Sequence, residues 1–241
     1  MIVLNDLLNY NGLKIYQDTD SFCFSLDSVL LANFVTLNKN AKKIIDLGCG
    51  NAAIPLFLST RTDSLITGVE IQKSIYDLAQ KSIKYNKLDK KIDIINDDIN
   101  NLKDRFPSSS FDVVVSNPPY FKMNERSLVN ESPTKIIARH EVKLTFLELV
   151  EMTNYLLKEH GVFAFVHRPD RLFEFLEILK KYKLEPKKIQ FIYSSKNKES
   201  NMILAECVKN GRVGLKILPP LFVHNGDQYS EEVKEIFNGR K

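Results

Sequence analysis

The chain has little cysteine, and what it has is poorly spaced for structural chemistry. Cys23, Cys49 and Cys207 are the only three in 241 residues, an odd number with no CxxC pair. This argues against a disulfide framework and a cysteine-based zinc site and fits a reducing cytosol. Long apolar runs are missing as well, and no stretch is long and uncharged enough to cross a bilayer. The opening Met1-Ile2-Val3-Leu4-Asn5-Asp6 lacks a basic segment followed by an apolar one, so no secretory leader is expected. Internal repeats and low-complexity tracts are absent. His160, His167 and His224 stand at no metal-ligand spacing with cysteine or carboxylate partners. Charge is not lopsided either. A net charge of +4 permits a nucleic-acid partner without demanding one, and a DNA-coating protein would be more basic. What remains is ordinary: 44% hydrophobic and 27% charged residues, enough to bury the core of one large domain or one domain with modest additions.

From Lys42 onward, strand-like and helix-like segments alternate. Lys43-Ile44-Ile45-Asp46-Leu47, Leu65 to Glu70, Ile92 to Ile95, Phe111 to Val115 and Val162 to Val166 are short and β-branched or aromatic, as buried parallel strands are. Between them, Ser74 to Asn86, Phe146 to Leu157 and Arg171 to Lys181 carry apolar residues at helical spacing. The alternation predicts an α/β fold, a doubly wound, mostly parallel sheet with right-handed connections. Lys188 to Tyr193 and Met202 to Val208 read as two further strands. The link Ser194 to Asn201 is too short for a crossover helix, so the sheet should end in an antiparallel hairpin. Residues 1–40 read as an N-terminal extension with a helix start at Ser25-Leu26-Asp27, residues 41–210 as the core and residues 211–241 as a tail. Phe121 to Lys143 is polar, charged and aperiodic, a loop length that is often functional.

The first strand runs into Asp46-Leu47-Gly48-Cys49-Gly50-Asn51-Ala52-Ala53. Gly48 and Gly50 allow a tight turn and close backbone approach to a ligand, and Ala53 keeps the helix near the strand. Glu70 follows Gly50 by 20 residues, at the end of the second strand, where a carboxylate can accept from both ribose hydroxyls. Together these satisfy a nucleotide-binding fingerprint; glycines alone would mark only a tight strand–helix turn. The identity of the nucleotide turns on Asp46. A carboxylate before the glycines would repel a pyrophosphate but welcome the sulfonium and α-ammonium of S-adenosylmethionine. The third strand leads to Asn96-Asp97-Asp98-Ile99, where either Asp97 or Asp98 could accept from the cofactor's adenine amino group or simply cap the following helix. Ile71 and Ile99 neighbour these carboxylates and are assigned to the same site.

The fourth strand ends in Ser116-Asn117-Pro118-Pro119-Tyr120. The prolines remove two backbone donors and stiffen the turn, at the carboxyl end of a strand where open α/β sheets bind ligands. An exocyclic amine on a planar ring is a poor nucleophile because its lone pair is delocalised. The Asn117 oxygen and the Pro118 carbonyl can each accept one N–H, which aims the lone pair outward. Asn117 also borders the cofactor. Tyr120, with Phe121 beside it, offers a stacking face for a flipped base. A proline-rich turn that merely closes the strand is the plainer alternative.

These motifs resemble the class I methyltransferases that modify amino groups of adenine, guanine or glutamine, and the resemblance implies a Rossmann-like, seven-stranded sheet. Phe24-Ser25-Leu26-Asp27-Ser28-Val29-Leu30-Leu31-Ala32, Ile137-Ala138-Arg139-His140-Glu141, Asn201-Met202-Ile203-Leu204 and Ile217-Leu218-Pro219-Pro220-Leu221 narrow it. Together they look like the bacterial tRNA(Val) adenine-N6 methyltransferase family, whose members are implied to methylate adenine 37 beside the anticodon. Cys49 stands where threonine is common in such motifs.

The expected partner is therefore RNA, with tRNA first, in the cytoplasm, with no membrane and no metal. Arg139 and His140 are candidate contacts to the RNA backbone and target base, against the reading of a solvated charged loop. Lys196 and Lys198, at the hairpin tip, are candidate phosphate contacts. The basic surplus from Arg168 to Lys188 reads as a solvated helix face. Guanine-N2 methylation of rRNA fits the same site chemistry. Glutamine methyltransferases of proteins carry a sizeable helical domain before the first strand, which about 40 residues do not supply here. A non-catalytic cofactor- or RNA-binding subunit is the reading from another class, and the intact Asn117-Pro118-Pro119-Tyr120 argues against it.

Overall fold

The structure is a computed structural model and describes residues 1–10, 12–19, 24–118 and 144–239. Among these residues the central sheet has nine strands, in the order β10 (Lys216–Ile217), β8 (Leu184–Tyr193), β9 (Ser200–Lys209), β7 (Leu157–His167), β6 (Phe111–Ser116), β3 (Lys43–Leu47), β4 (Leu65–Glu70) and β5 (Ile92–Asn96), and β11 (Leu221–Phe222) also pairs with β8. Strands β3, β4, β5, β6 and β7 are mutually parallel. The strand β9 runs antiparallel between β7 and β8, so the expected hairpin is present. Seven long strands match the expected sheet. Two short ones, β10 and β11, extend its β8 edge in parallel.

The continuous apolar runs of the central strands arise because both faces are covered. Alternate residues serve opposite layers. Ile44, Val113, Val115, Ala164 and Val166 pack with helices α1 (Leu26–Phe34), α2 (Ala53–Ser59) and α3 (Lys73–Tyr85) on one face. Ile45, Val114, Phe163 and Phe165 pack on the other with α5 (Phe146–Leu156) and α6 (Leu172–Lys181), while the short α4 (Leu102–Arg105) inserts Leu102. Helix α5 starts at a capping box, in which Thr145 and Glu148 satisfy each other's backbone donors.

The segments before and after the central alternation are packed into the same core. Strands β1 (Ile2–Asp6) and β2 (Lys14–Asp18) form an antiparallel hairpin, anchored to α3 where Ser82 Oγ and Asn86 Oδ1 each accept a 2.9 Å bond from the backbone of Tyr16 and Lys14. A small hairpin, β12 (His224–Asn225) with β13 (Gln228–Tyr229), precedes α7 (Glu231–Phe237), whose Val233 and Ile236 are buried. Tyr10 Oη donates to the Ile236 carbonyl at 2.6 Å and joins the two ends of the chain. Arg61 donates to the carbonyls of Ala32 and Val35 at the end of α1. Lys188 pairs with the buried Glu206 at 3.2 Å and donates to Phe34 O at 2.6 Å. Among the described residues, no helix is long and apolar enough to cross a membrane.

Candidate active site

In a parallel sheet every strand delivers its carboxyl end, and the loop after it, to one edge. Of the residues singled out in the sequence, Asp46, Gly48, Gly50, Glu70, Asp97, Asp98 and Asn117 lie at or beside that edge. After β3 the chain turns at Gly48 (φ +77°) and Gly50 (φ +56°), left-handed conformations that suit glycine, and the amides of Gly48 and Cys49 both donate to Val69 O at 3.0 and 2.9 Å. A Cβ at either glycine would meet nothing within 4 Å. The turn therefore presents bare backbone to open space, as a ligand cradle requires.

Glu70 is clamped at the end of β4. Its carboxylate accepts from Gly50 N at 3.0 Å and from Gln72 N at 2.8 Å, one bond to each oxygen. It is buried, which pushes its carboxyl up, while the two amides oppose that rise. Asn96 at the end of β5 donates to Glu70 O at 2.8 Å and to Ile71 O at 3.0 Å, holding the neighbouring strand ends together. Each Glu70 oxygen keeps a lone pair for a further donor, as a ribose diol would supply.

Asp46 is the outlier. It is fully buried in β3, and neither of its carboxylate oxygens accepts a hydrogen bond. Burial first, and the neighbouring Glu70 second, push its carboxyl well above the usual range. An orphaned buried acid is costly to keep and signals a missing cationic donor. The donor set thus fits S-adenosylmethionine: a cationic amine for Asp46, a ribose for Glu70 and a glycine turn without side chains. The buried Cys49 thiol lies beside both acids and is raised by burial and by their charges, so it is not reactive.

The two acids after β5 separate in role. Asp97 is used internally, accepting from Asp98 N at 2.8 Å, Asn101 Nδ2 at 2.9 Å and the Arg105 guanidinium. The Asn101 bond leads the interactions that hold its carboxyl below the usual range. Asp98 caps the short 3-10 turn Ile99–Asn101 through a single bond from Asn100 N to Oδ1. Its cap role therefore leaves an oxygen for a ligand, and Asp98 is the better candidate. Ile71, 39% exposed, lines an open cleft with Gln72, Lys73 and Ser74. Ile99 is buried in the core with Leu47 and Val69.

The strand that leads to Asn117 is tied to the strand that opens the glycine turn. Ser116, buried at the end of β6, donates from Oγ to Leu47 O at 2.7 Å. Asn117 follows, with its Nδ2 3.5 Å from Ser28 Oγ on α1, and Pro118 is buried next to it. Ser28, Gln72, Asn96 and Ser116 went unassigned in the sequence. Ser116, one residue before Asn117, Asn96, one before Asp97, and Gln72, one after Ile71, each stood next to an assigned residue. Pro119, Tyr120, Phe121, Arg139 and His140 lie outside the described residues, as does Cys23. Lys196 and Lys198 are exposed in the link between β8 and β9, with no ion pair among the described residues. By contrast Arg168 pairs with Asp170, and Arg171 with Glu174. Among the described residues, no group of histidine, cysteine and carboxylate side chains could hold a metal ion.

The chain is similar to known methyltransferases. Residues 25–174 match the family described as "Methyltransferase small domain", which spans α1 through the acceptor strand to the start of α6. The tRNA1(Val) (adenine(37)-N6)-methyltransferase of Bacteroides thetaiotaomicron is 27% identical over 96% of this chain and 95% of its own. The protein of that name from Aliivibrio salmonicida is 27% identical over 88% of this chain and 87% of its own. Among solved structures, a predicted O-methyltransferase from Agrobacterium tumefaciens superposes with a TM-score of 0.71 at 20% identity, covering 89% of this chain and 96% of that one. TYW2 of Pyrococcus horikoshii, solved in complex with MeSAdo, superposes with a TM-score of 0.59 at 15% identity over 87% and 72% of the two chains. These two likenesses bear on the fold alone. The matched family, the glycine turn with its two acids and the Asn117 strand end agree, and the chain belongs to the methyltransferase small domain family of S-adenosylmethionine-dependent methyltransferases.

Proposed function

We propose that this methyltransferase acts on the exocyclic N6 amine of an adenine in RNA, with adenine 37 of tRNA(Val) as the acceptor. The observation that carries the reading is the Ser116–Leu47 bond, which ties the Asn117-Pro118 strand end to the strand that opens the cofactor turn. The relatives that match nearly the whole chain, named for that adenine, support the choice of acceptor.

In this reading Asp46 meets the cationic amine of S-adenosylmethionine, Glu70 its ribose and Asp98 its adenine. When bound, the cofactor supplies an electrophilic methyl group. The Asn117 oxygen and the Pro118 carbonyl each accept one N–H of the target amine. They would draw its nitrogen from planar toward tetrahedral geometry and stabilise the positive charge that develops on it as the N–C bond forms and the methyl–sulfur bond breaks, with S-adenosylhomocysteine as the leaving group. The methylated amine then loses one proton to water, so no strong base is required. Tyr120 and Phe121 would stack on the flipped adenine, and Arg139, His140, Lys196 and Lys198 would contact the RNA. A cytosolic site of action follows from the substrate.

The test offers labelled S-adenosylmethionine with total bacterial tRNA, total rRNA and a release-factor protein, followed by nucleoside mass spectrometry. N6-methyladenosine in the tRNA alone is expected. Label in rRNA guanine or in protein would overturn the acceptor while leaving the cofactor site intact. Cofactor binding without label anywhere would contradict a self-sufficient enzyme.

A further inference from the structure

The helix α6 presents an aromatic ring that its core does not need. Leu172, Phe175, Leu176 and Leu179 recur at three- and four-residue spacing and pack inward. At about 100° per residue, Phe173 sits roughly 110° from that stripe, on the face of Glu177 and Lys180. It is 84% exposed. A single exposed hydrophobic residue is unremarkable by itself. The position of Phe173 is not, because α6 follows β7, the strand next to the Asn117 strand, and its first turn therefore lies at the carboxyl edge.

The strand registers supply the second observation. Ser116 stands opposite Phe165, Phe165 opposite Ala205, and Ala205 opposite Ile189. Strand β8 continues from Ile189 to Tyr193, so it overshoots the level of Ser116 by about 13 Å at 3.3 Å per residue. Crossing from β6 through β7 and β9 to β8 spans about 14 Å at 4.8 Å per strand. The β8–β9 tip is therefore a wall beside the acceptor site, and it carries Lys196 and Lys198. Their charges have no partner among the described residues, whereas Arg168 and Arg171 are compensated locally.

We infer that Phe173 is a base-stacking platform for an unpaired nucleotide flanking the target, with the strand's phosphates directed toward Lys196 and Lys198; this rests on the RNA reading above. Unpaired bases are recognised by stacking on aromatic rings, and the backbone by unpaired cations. A single exposed ring with two cations at the neighbouring tip suits an unpaired loop better than a duplex.

The experiment compares the native chain with Phe173→Ala and Phe173→Trp in steady-state methylation of a tRNA transcript. The cofactor dissociation constant and melting temperature are measured alongside. For Phe173→Ala we expect the KM for RNA to rise about 5- to 100-fold, the range that base–aromatic stacking supports, with the melting temperature and cofactor affinity unchanged. Phe173→Trp should keep a native KM. A KM for Phe173→Ala within twofold of native, on an RNA that the native chain methylates, would overturn the platform alone. A native chain that methylates protein and no RNA would overturn the RNA reading and the platform with it.

Discussion

Ser116 Oγ and Leu47 O, 69 residues apart in sequence, form a buried 2.7 Å hydrogen bond where β6 and β3 end side by side. It fixes the start of the Asn117-Pro118 segment, the proposed acceptor site, against the start of the glycine turn. Ser116→Ala leaves the Leu47 carbonyl without this donor. The fold should lose about 1–3 kcal/mol, and methyl transfer should fall further than cofactor affinity. Denaturant titration and calorimetry measure the two effects. Native activity in this variant would show that the bond is only structural.

Asn117→Ala removes an acceptor for the target amine and leaves the cofactor turn untouched. Turnover should fall roughly 100- to 1000-fold, as when one transition-state partner is deleted, with cofactor affinity nearly unchanged. Full activity would sink the acceptor assignment.

Glu70→Ala removes the carboxylate that Gly50 N and Gln72 N share. Cofactor binding should weaken by about 1–3 kcal/mol through the lost charge-assisted bonds. An unchanged dissociation constant by calorimetry would refute the ribose role.

With Asp46 as the proposed partner of the cofactor's amine, binding should depend on pH. The folded Asp46 carboxyl is raised by burial and by Glu70, so the native state holds a proton that the unfolded chain releases. In the cofactor-free protein, the contribution of Asp46 to stability should be greatest at low pH and decline as pH climbs from the ordinary aspartate range through the raised value. A cationic ligand favours the carboxylate, so cofactor affinity should run the other way and fall as pH drops below that value. Asp46→Asn should flatten both trends. Identical pH profiles for native and variant proteins would exclude Asp46 as the cofactor's ionic partner.

Gly68 in β4 has a different constraint from the turn glycines. A Cβ there would lie 2.6 Å from Ile94 Cδ1 and 2.7 Å from Cys49 Sγ. Gly68→Ala should cost about 1–3 kcal/mol through overpacking, and Cys49→Ala in the same chain should recover part of it. An additive loss in the double variant, seen in denaturant titration, would refute the clash.

The central strands and their helices were legible because burial on both faces leaves short apolar runs such as Val113 to Val115. The antiparallel β8–β9 pair was legible from a link too short for a helix. The hairpin of β1 and β2 was not, because Lys14-Ile15-Tyr16-Gln17-Asp18 alternates only partly and takes its stability from docking on α3. Strands β10 and β11 have two residues each and exist only through pairing with β8. At the site, the sequence placed Asp46, Glu70 and Asn117. It could not divide Asp97 from Asp98, because that depends on Asn101 and Arg105 reaching back to Asp97. Ser28 was invisible as a neighbour of Asn117, since their contact joins residues 89 apart.

The most direct test of the proposed activity uses a tRNA(Val) transcript and its adenine-37-to-guanine counterpart with labelled S-adenosylmethionine, followed by mapping of the modified nucleoside. One N6-methyladenosine at position 37, absent from the guanine transcript and from reactions with Asn117→Ala, is the predicted result. Methylation at another base, or equal labelling of both transcripts, would contradict it.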